Sequence, residues 1–75
     1  MVFHLFYCSS DQSLYGATDD PTGAKLARSA CPGGTWVSHK TLDRSAVKFS
    51  ANKAEMNIKR QGYYLFRAEI EVGRP

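Results

Sequence analysis

A helix followed at once by a strand occupies the last third of the chain, and this junction constrains the fold more than any other feature. Ser50 is a favourable N-cap for an amphipathic helix, and Gly62 suits the left-handed conformation that often ends one. Residues 53–59 also alternate between polar and apolar as in a strand, but the glycine stop favours the helix. From Tyr63 to Val72 the side chains alternate with the period of two of a half-buried strand. We therefore predict a main helix at about 51–61 and a strand directly after it.

The first predicted strand covers residues 2–8. Its sequence, VFHLFYC, is apolar on both faces, so we expect a central strand or one covered on both sides. Residues 9–13 then form a turn, and residues 14–17 a short extension.

The middle of the chain is divided by the break Pro32-Gly33-Gly34. Before it, residues 21–31 fit either a short second helix or an ordered loop, since Pro21 suits a first helical position but Gly23 lies within the first turn. After it, residues 35–42 are rich in β-branched side chains and predict a strand. A turn at 43–45 would lead into residues 46–50 and complete a hairpin.

These elements predict a single small α+β domain over residues 1–75, with a mostly antiparallel sheet of three to four strands and the main helix packed on one face. The chain has 75 residues, of which 43% are hydrophobic, so we expect a real core. Domains of this size bury only about 60% of their unfolded surface, and a homodimer is therefore possible.

A further pattern lies in residues 15–26 (YGATDDPTGAKL), followed by Trp36 and by the run Gly62-Tyr63-Tyr64-Leu65. This pattern resembles one found in short uncharacterised bacterial proteins. The resemblance covers about half of the chain. It implies a bacterial origin and no particular reaction.

Cys8 and Cys31 admit two interpretations. No basic leader precedes the apolar first residues, and no window approaches the roughly 18 apolar residues of a membrane helix, so we expect a cytoplasmic protein without a membrane partner. Since reducing compartments disfavour disulfides, two buried thiols are expected more than a bridge.

Metal and cofactor sites are not indicated by the residue spacing. His4 and Cys8 lie four residues apart on a predicted strand, which separates their Cα atoms by roughly 13 Å. That is too far to share one ion, and we predict neither a metal nor a cofactor.

The strongest catalytic hypothesis is a small ribonuclease or toxin centred on His39, with Lys40, Arg44 or Arg67 stabilising a phosphate. Histidine shuttles protons near neutral pH, and a cation can hold transition-state charge. A surface histidine on a wet strand face is the preferred interpretation, because no local motif supports catalysis.

Charge points to a second hypothesis. Nine basic residues and two acidic ones lie between Lys25 and Arg67, although the net charge of the chain is only +3. The predicted helix would present a basic face suited to phosphates. A solvated face without a ligand explains the same residues and is preferred. The candidate nucleic-acid contacts are Lys53, Asn57, Lys59 and Arg60.

Two aromatic residues are candidate partner contacts. Trp36 begins the strand after the glycine break, where a tryptophan more often closes the core than anchors a partner. Tyr63 begins the last strand. The sequence as a whole predicts a non-catalytic binding domain for another protein or a second copy, with nucleic-acid binding as the runner-up and the His39 enzyme third.

Overall fold

The computed structural model describes residues 2–47 and 49–67 of the chain. Four strands and one α-helix form a small α+β fold, as predicted, with a short 3-10 helix at Arg28–Ala30. In chain order the elements are β1 (Val2–Cys8), β2 (Asp11–Thr18), β3 (Trp36–Asp43), α1 (Ala51–Gln61) and β4 (Tyr63–Arg67).

The sheet has the strand order β3-β1-β2-β4, and each neighbouring pair is antiparallel. The prediction that the first strand is central is confirmed, because β1 pairs with β2 on one side and β3 on the other. Ser9 and Ser10 turn β1 into β2, which begins earlier than predicted. His39 is an extra residue in β3, since Leu5 faces Lys40 while Phe6 faces Ser38. This β-bulge twists the strand locally.

The predicted hairpin between residues 35–42 and 46–50 is wrong, because β3 pairs with β1 instead. Asp43 accepts hydrogen bonds from the backbone N and Oγ of Ser45, and Ala46 N donates to Asp43 O at 2.9 Å, so the chain turns after β3. Val47 and Phe49 then pack against the core without joining the sheet. Lys48 lies outside the described residues.

The bounds of α1 confirm the predicted helix at 51–61. Ser50 Oγ accepts from Lys53 N at 3.3 Å, and Gly62, at φ 99°, donates its N–H to Ile58 O at 2.8 Å. The buried side of the helix carries Ala54 and Ile58. Across the part of the chain that the structure describes, no helix is long and apolar enough to cross a bilayer.

Strand β4 shows the predicted alternation over Tyr63–Arg67. Tyr64 and Phe66 pack with the core on the helix side, whereas Leu65 faces Gly16 from the other side of the sheet. The predicted continuation of this strand over 68–72 lies outside the described residues.

Residues 19–35 form an ordered loop over the second face of the sheet, and the possible α-helix at 21–31 is not formed. Asp20 Oδ1 accepts hydrogen bonds from Thr22 N and Oγ1 at 2.9 and 2.8 Å, which closes a turn. Gly23 is left-handed at φ 74°, so a helix cannot continue through it. Leu26 is the buried apolar side chain of this loop and lies against Gly16 on the sheet.

A disulfide between Cys8 and Cys31 joins the end of β1 to this loop, with a Cα–Cα distance of 5.6 Å. Both residues are buried, as expected, but the prediction of two free thiols is wrong. Reducing compartments disfavour disulfides, but the fold brings Cys8 and Cys31 within bonding distance, which the sequence alone could not show. The loop is therefore covalently fixed to the central strand.

Candidate functional site

A row of large side chains crosses the sheet on the face where α1 packs. Val37 lies opposite Tyr7, Tyr7 opposite Tyr15, and Tyr15 opposite Phe66, so the row runs through β3, β1, β2 and β4. Directly opposed residues in an antiparallel pair share one face of the sheet. Strand register thus brings together three aromatic side chains and Val37, which are far apart in the sequence.

The helix leaves part of this row uncovered. Its buried residues Ala54 and Ile58 pack with Phe3, Leu5 and Ala17, which lie one step further along the strands. Tyr7 and Tyr15 stand outside that cluster and are half-buried.

His39 completes the uncovered group because the bulge in β3 brings its ring beside both tyrosines. Its ring meets Tyr7 edge to face at a centroid distance of 6.1 Å and Tyr15 at 5.4 Å. Phe66 stacks on Tyr15 at 5.6 Å with an interplanar angle of 18° and supports it from the β4 side. We call Tyr7, Tyr15 and His39 the aromatic platform.

The platform borders an open depression of about 190 Å³, which is also lined by Gln12. Sites for drug-sized ligands usually measure about 300–1,000 Å³, so this depression suits one ring or side chain. Among the residues that the structure describes, the hydroxyls of Tyr7 and Tyr15, the His39 ring and the Gln12 amide form no hydrogen bond within the protein. Within residues 2–47 and 49–67 these polar groups therefore have no partner.

The charges of the described residues are unevenly compensated. Three acidic residues are held in ion pairs, Asp19 with Lys25, Glu55 with Arg44 and Asp11 with Arg67. A larger set of exposed cations has no ion pair within residues 2–47 and 49–67. This set consists of Arg28, Lys40, Lys53, Lys59 and Arg60.

The predicted nucleic-acid contacts lie on α1, as expected. Lys53, Lys59 and Arg60 are exposed. Asn57 Nδ2 donates a hydrogen bond to Lys53 O at 2.9 Å, so one of its N–H groups is already used within the helix. Glu55, the acidic residue of the helix, is turned toward Arg44, whose Nε lies 2.9 Å from Glu55 Oε2. The outer face of α1 is therefore basic.

The predicted catalytic group is only partly brought together. His39 and Lys40 are adjacent and exposed on β3. The other two proposed phosphate ligands are engaged elsewhere: Arg44 binds Glu55 and Asn52, and Arg67 binds Asp11 and Ser13. The rings beside His39 belong to Tyr7 and Tyr15.

Trp36 and Tyr63 lie on the opposite face of the sheet from the platform. Trp36 Nε1 donates to Ala27 O at 2.9 Å, and its ring approaches Gly16 beneath the covering loop. This placement favours a role in packing. Tyr63 is half-buried opposite Thr18 at the far end of β4.

No group of three potential metal-binding side chains occurs in the parts of the chain that the structure describes. No family model, curated protein or solved structure matches the chain. The resemblance to short bacterial proteins stays a prediction.

Sequence reasoning placed His39 among the candidates but missed Tyr7, Tyr15 and Gln12. A two-residue turn at residues 9–10 would by itself pair Tyr7 with Gln12. Tyr7 lies opposite Tyr15 only because the β1–β2 register shifts between Tyr7 and Cys8, and no local sequence signal marks that shift.

The hydrogen bonds of Asp11 predict an acid-sensitive contact. Donation from Arg67 and from Ser13 lowers the pKa of the Asp11 carboxyl below its ordinary value. A depressed folded-state pKa contributes stability above the unfolded value of about 3.9 and loses it as pH falls through the folded pKa. We expect Asp11→Asn to reduce the change in unfolding midpoint between pH 5 and pH 2, measured in urea. Ser13→Ala should have a smaller effect in the same direction, and an unchanged profile for both variants would contradict this assignment.

Proposed function

We propose that this protein is a non-catalytic binding domain whose contact surface is the aromatic platform. The observation that carries the proposal is the aromatic platform, which α1 leaves uncovered. Its tyrosine hydroxyls and the nitrogens of the His39 ring have no hydrogen-bond partner among the described residues. Such a surface receives one planar ring of a larger partner by stacking and fixes it by hydrogen bonds. The depression is too small for more than that.

A separate partner is favoured over a second copy of the chain. A stable interface buries about 800 Å² per partner and uses about 20–30 residues a side, far more than the platform and Gln12 supply. Strand β3 lies at the edge of the sheet and carries a bulge at His39 and the charged side chain of Lys40. Both features discourage edge-to-edge pairing with a second copy. We expect light scattering to give the mass of one chain.

The disulfide argues against the predicted cytoplasmic location. The bond between Cys8 and Cys31 favours an oxidising compartment, since structural disulfides are rare in the cytosol. Binding at the platform does not depend on which compartment holds the protein.

Titration with one-ring probes, followed by NMR, tests the proposed surface. Adenosine and N-acetyl-tyrosinamide are expected to shift the ring signals of Tyr7, Tyr15 and His39, with dissociation constants on the order of 10 mM, since ring stacking supplies about 1–3 kcal/mol. Tyr7→Thr should abolish the shifts at the remaining rings. Tyr63→Thr removes a half-buried tyrosine from the opposite face and is the matched control. Shifts confined to another surface, or unchanged in Tyr7→Thr, would refute the proposal.

A further inference from the structure

We propose that the platform binds the bases of single-stranded nucleic acid, an inference that rests on the proposed function and names its ligand. Aromatic side chains on a sheet stack bases with little dependence on sequence, because every base has a flat face. The tyrosines lie on adjacent strands, which are about 5 Å apart, and the depression holds one ring, so the platform takes one base.

The polar tips of the site match the edges of bases. Two phenol hydroxyls and the His39 ring offer donors and acceptors beside the rings. The Gln12 amide adds a donor and an acceptor side by side, the pattern that complements an adenine edge. Among the described residues, neither an acidic side chain nor a lysine or arginine lines the depression, which suits a base in preference to a phosphate.

The charges of the described residues favour a polyanion over a neutral or basic peptide. Lys40 follows His39 directly, is exposed, and has no ion pair within the described residues. Three further cations without ion pairs there, Lys53, Lys59 and Arg60, lie on α1. In the described chain, Asp11, Asp19 and Glu55 are neutralised by basic neighbours, which leaves Asp20 and Asp43 without an ion pair there against five such cations. A phosphate backbone is the complement of this arrangement.

A single strand is favoured over a duplex. Base pairs in a duplex stack on one another and expose only their edges in the grooves, so a ring platform has no base face to contact. The platform lies on the sheet face where α1 packs, with the rings of Tyr7 and Tyr15 half-buried and that of His39 exposed. The bases of an unpaired strand can reach these rings directly.

Fluorescence anisotropy tests the inference. Labelled oligothymidine and oligoadenosine of twelve nucleotides are titrated with the protein at low salt. We expect Tyr7→Thr to weaken binding roughly 5- to 150-fold, the range measured for loss of one base-stacking ring. His39→Ala, at an exposed position, should weaken it in the same direction without affecting the fold, as checked by circular dichroism. Lys40→Gln should lower the slope of log affinity against log salt by about 0.7. Tyr63→Thr and Arg28→Gln are the controls and should change affinity less than twofold.

Several outcomes would overturn the inference. Absence of oligonucleotide binding, with the one-ring probes still shifting the signals of Tyr7 and Tyr15, would reject nucleic acid as the ligand and leave the proposed surface intact. Binding that survives Tyr7→Thr and His39→Ala but is lost on replacing Lys53, Lys59 and Arg60 with glutamine would assign the contact to phosphates on α1. Equal competition by a duplex of the same length, or by hexaglutamate, would reject base stacking and leave a purely electrostatic surface.

Discussion

Replacing Cys8 and Cys31 together with serine is expected to lower the free energy of unfolding by roughly 3 kcal/mol. The two cysteines are 23 residues apart, and a cross-link closing a loop of that length restricts the unfolded chain by about this amount. In a domain of 60–100 residues each kcal/mol corresponds to about 4–8 °C in Tm, so the expected decrease is roughly 12–24 °C. Thermal unfolding followed by circular dichroism measures it.

The loss should be concentrated in the loop over the second sheet face. Besides the disulfide, that loop is held by the bond from Trp36 Nε1 to Ala27 O, by the pair of bonds between Ser9 and Thr35, and by the bond from Ser10 Oγ to Pro32 O. Trp36 is the single tryptophan of the chain, so its fluorescence reports on this region alone. We expect its emission to shift to longer wavelength in the double variant, because its ring gains access to water.

Reduced wild-type protein provides the matched control. Since both cysteines are buried, reduction is carried out in denaturant before refolding. The reduced protein should then unfold at about the Tm of the double variant, which itself should not respond to reductant. Equal Tm values for the oxidised and reduced wild type would show that the disulfide does not stabilise the fold. Alkylation at the moment of cell lysis would further show whether the bond exists in the cell, as an oxidising compartment requires.

The helix was predictable because its determinants are local. Ser50 and Gly62 mark its ends through bonds to residues three and four positions away, and the structure places α1 between them. The alternation in β4 is equally local, since neighbouring residues of a strand point to opposite faces. Signals of this kind need no knowledge of what the element packs against.

Strand pairing was not predictable in the same way. Residues 35–42 lie next to residues 46–50 in the sequence, and alternation around Val47 suggested a hairpin between them. The apolar first strand is the better partner for β3 because it is buried on both faces, and Val47 instead fills the space beside the core. Asp43 closes a turn that leads away from the sheet.

The platform depends on three strands and on an irregular register in both pairings of β1, which explains why the sequence did not show it. Tyr7 and Tyr15 meet through the β1–β2 register, and His39 reaches them only because a bulge displaces it in β3. A bulge in an edge strand leaves no clear signal in a single sequence. His39 was recognised as a candidate by its residue type, and its surroundings were not.

The largest effect of a single substitution is expected for Phe3→Ala, at roughly 3–5 kcal/mol of unfolding free energy. Phe3 is fully buried, and its ring meets that of Phe49 edge to face at 5.4 Å. It belongs to the cluster through which α1 packs on the sheet, together with Ala54 and Ile58. Removing the ring loses its transfer free energy and leaves a cavity that the surrounding rigid sheet cannot close. Small domains often have only about 3–5 kcal/mol from their core, so the variant should be largely unfolded at 25 °C.

Val2→Ala is the matched control, because Val2 is the preceding residue of β1 and points to the opposite face with 45% of its surface exposed. Its expected cost is below about 1 kcal/mol, measured as the urea midpoint and slope, while circular dichroism without urea shows how much of Phe3→Ala is still folded. The comparison also tests the register of the central strand. A shift of one residue would exchange the two faces and make Val2 the costly position. Equal costs at Val2 and Phe3 would mean that neither face is selectively covered, and the packing of α1 on one side of the sheet would then be refuted.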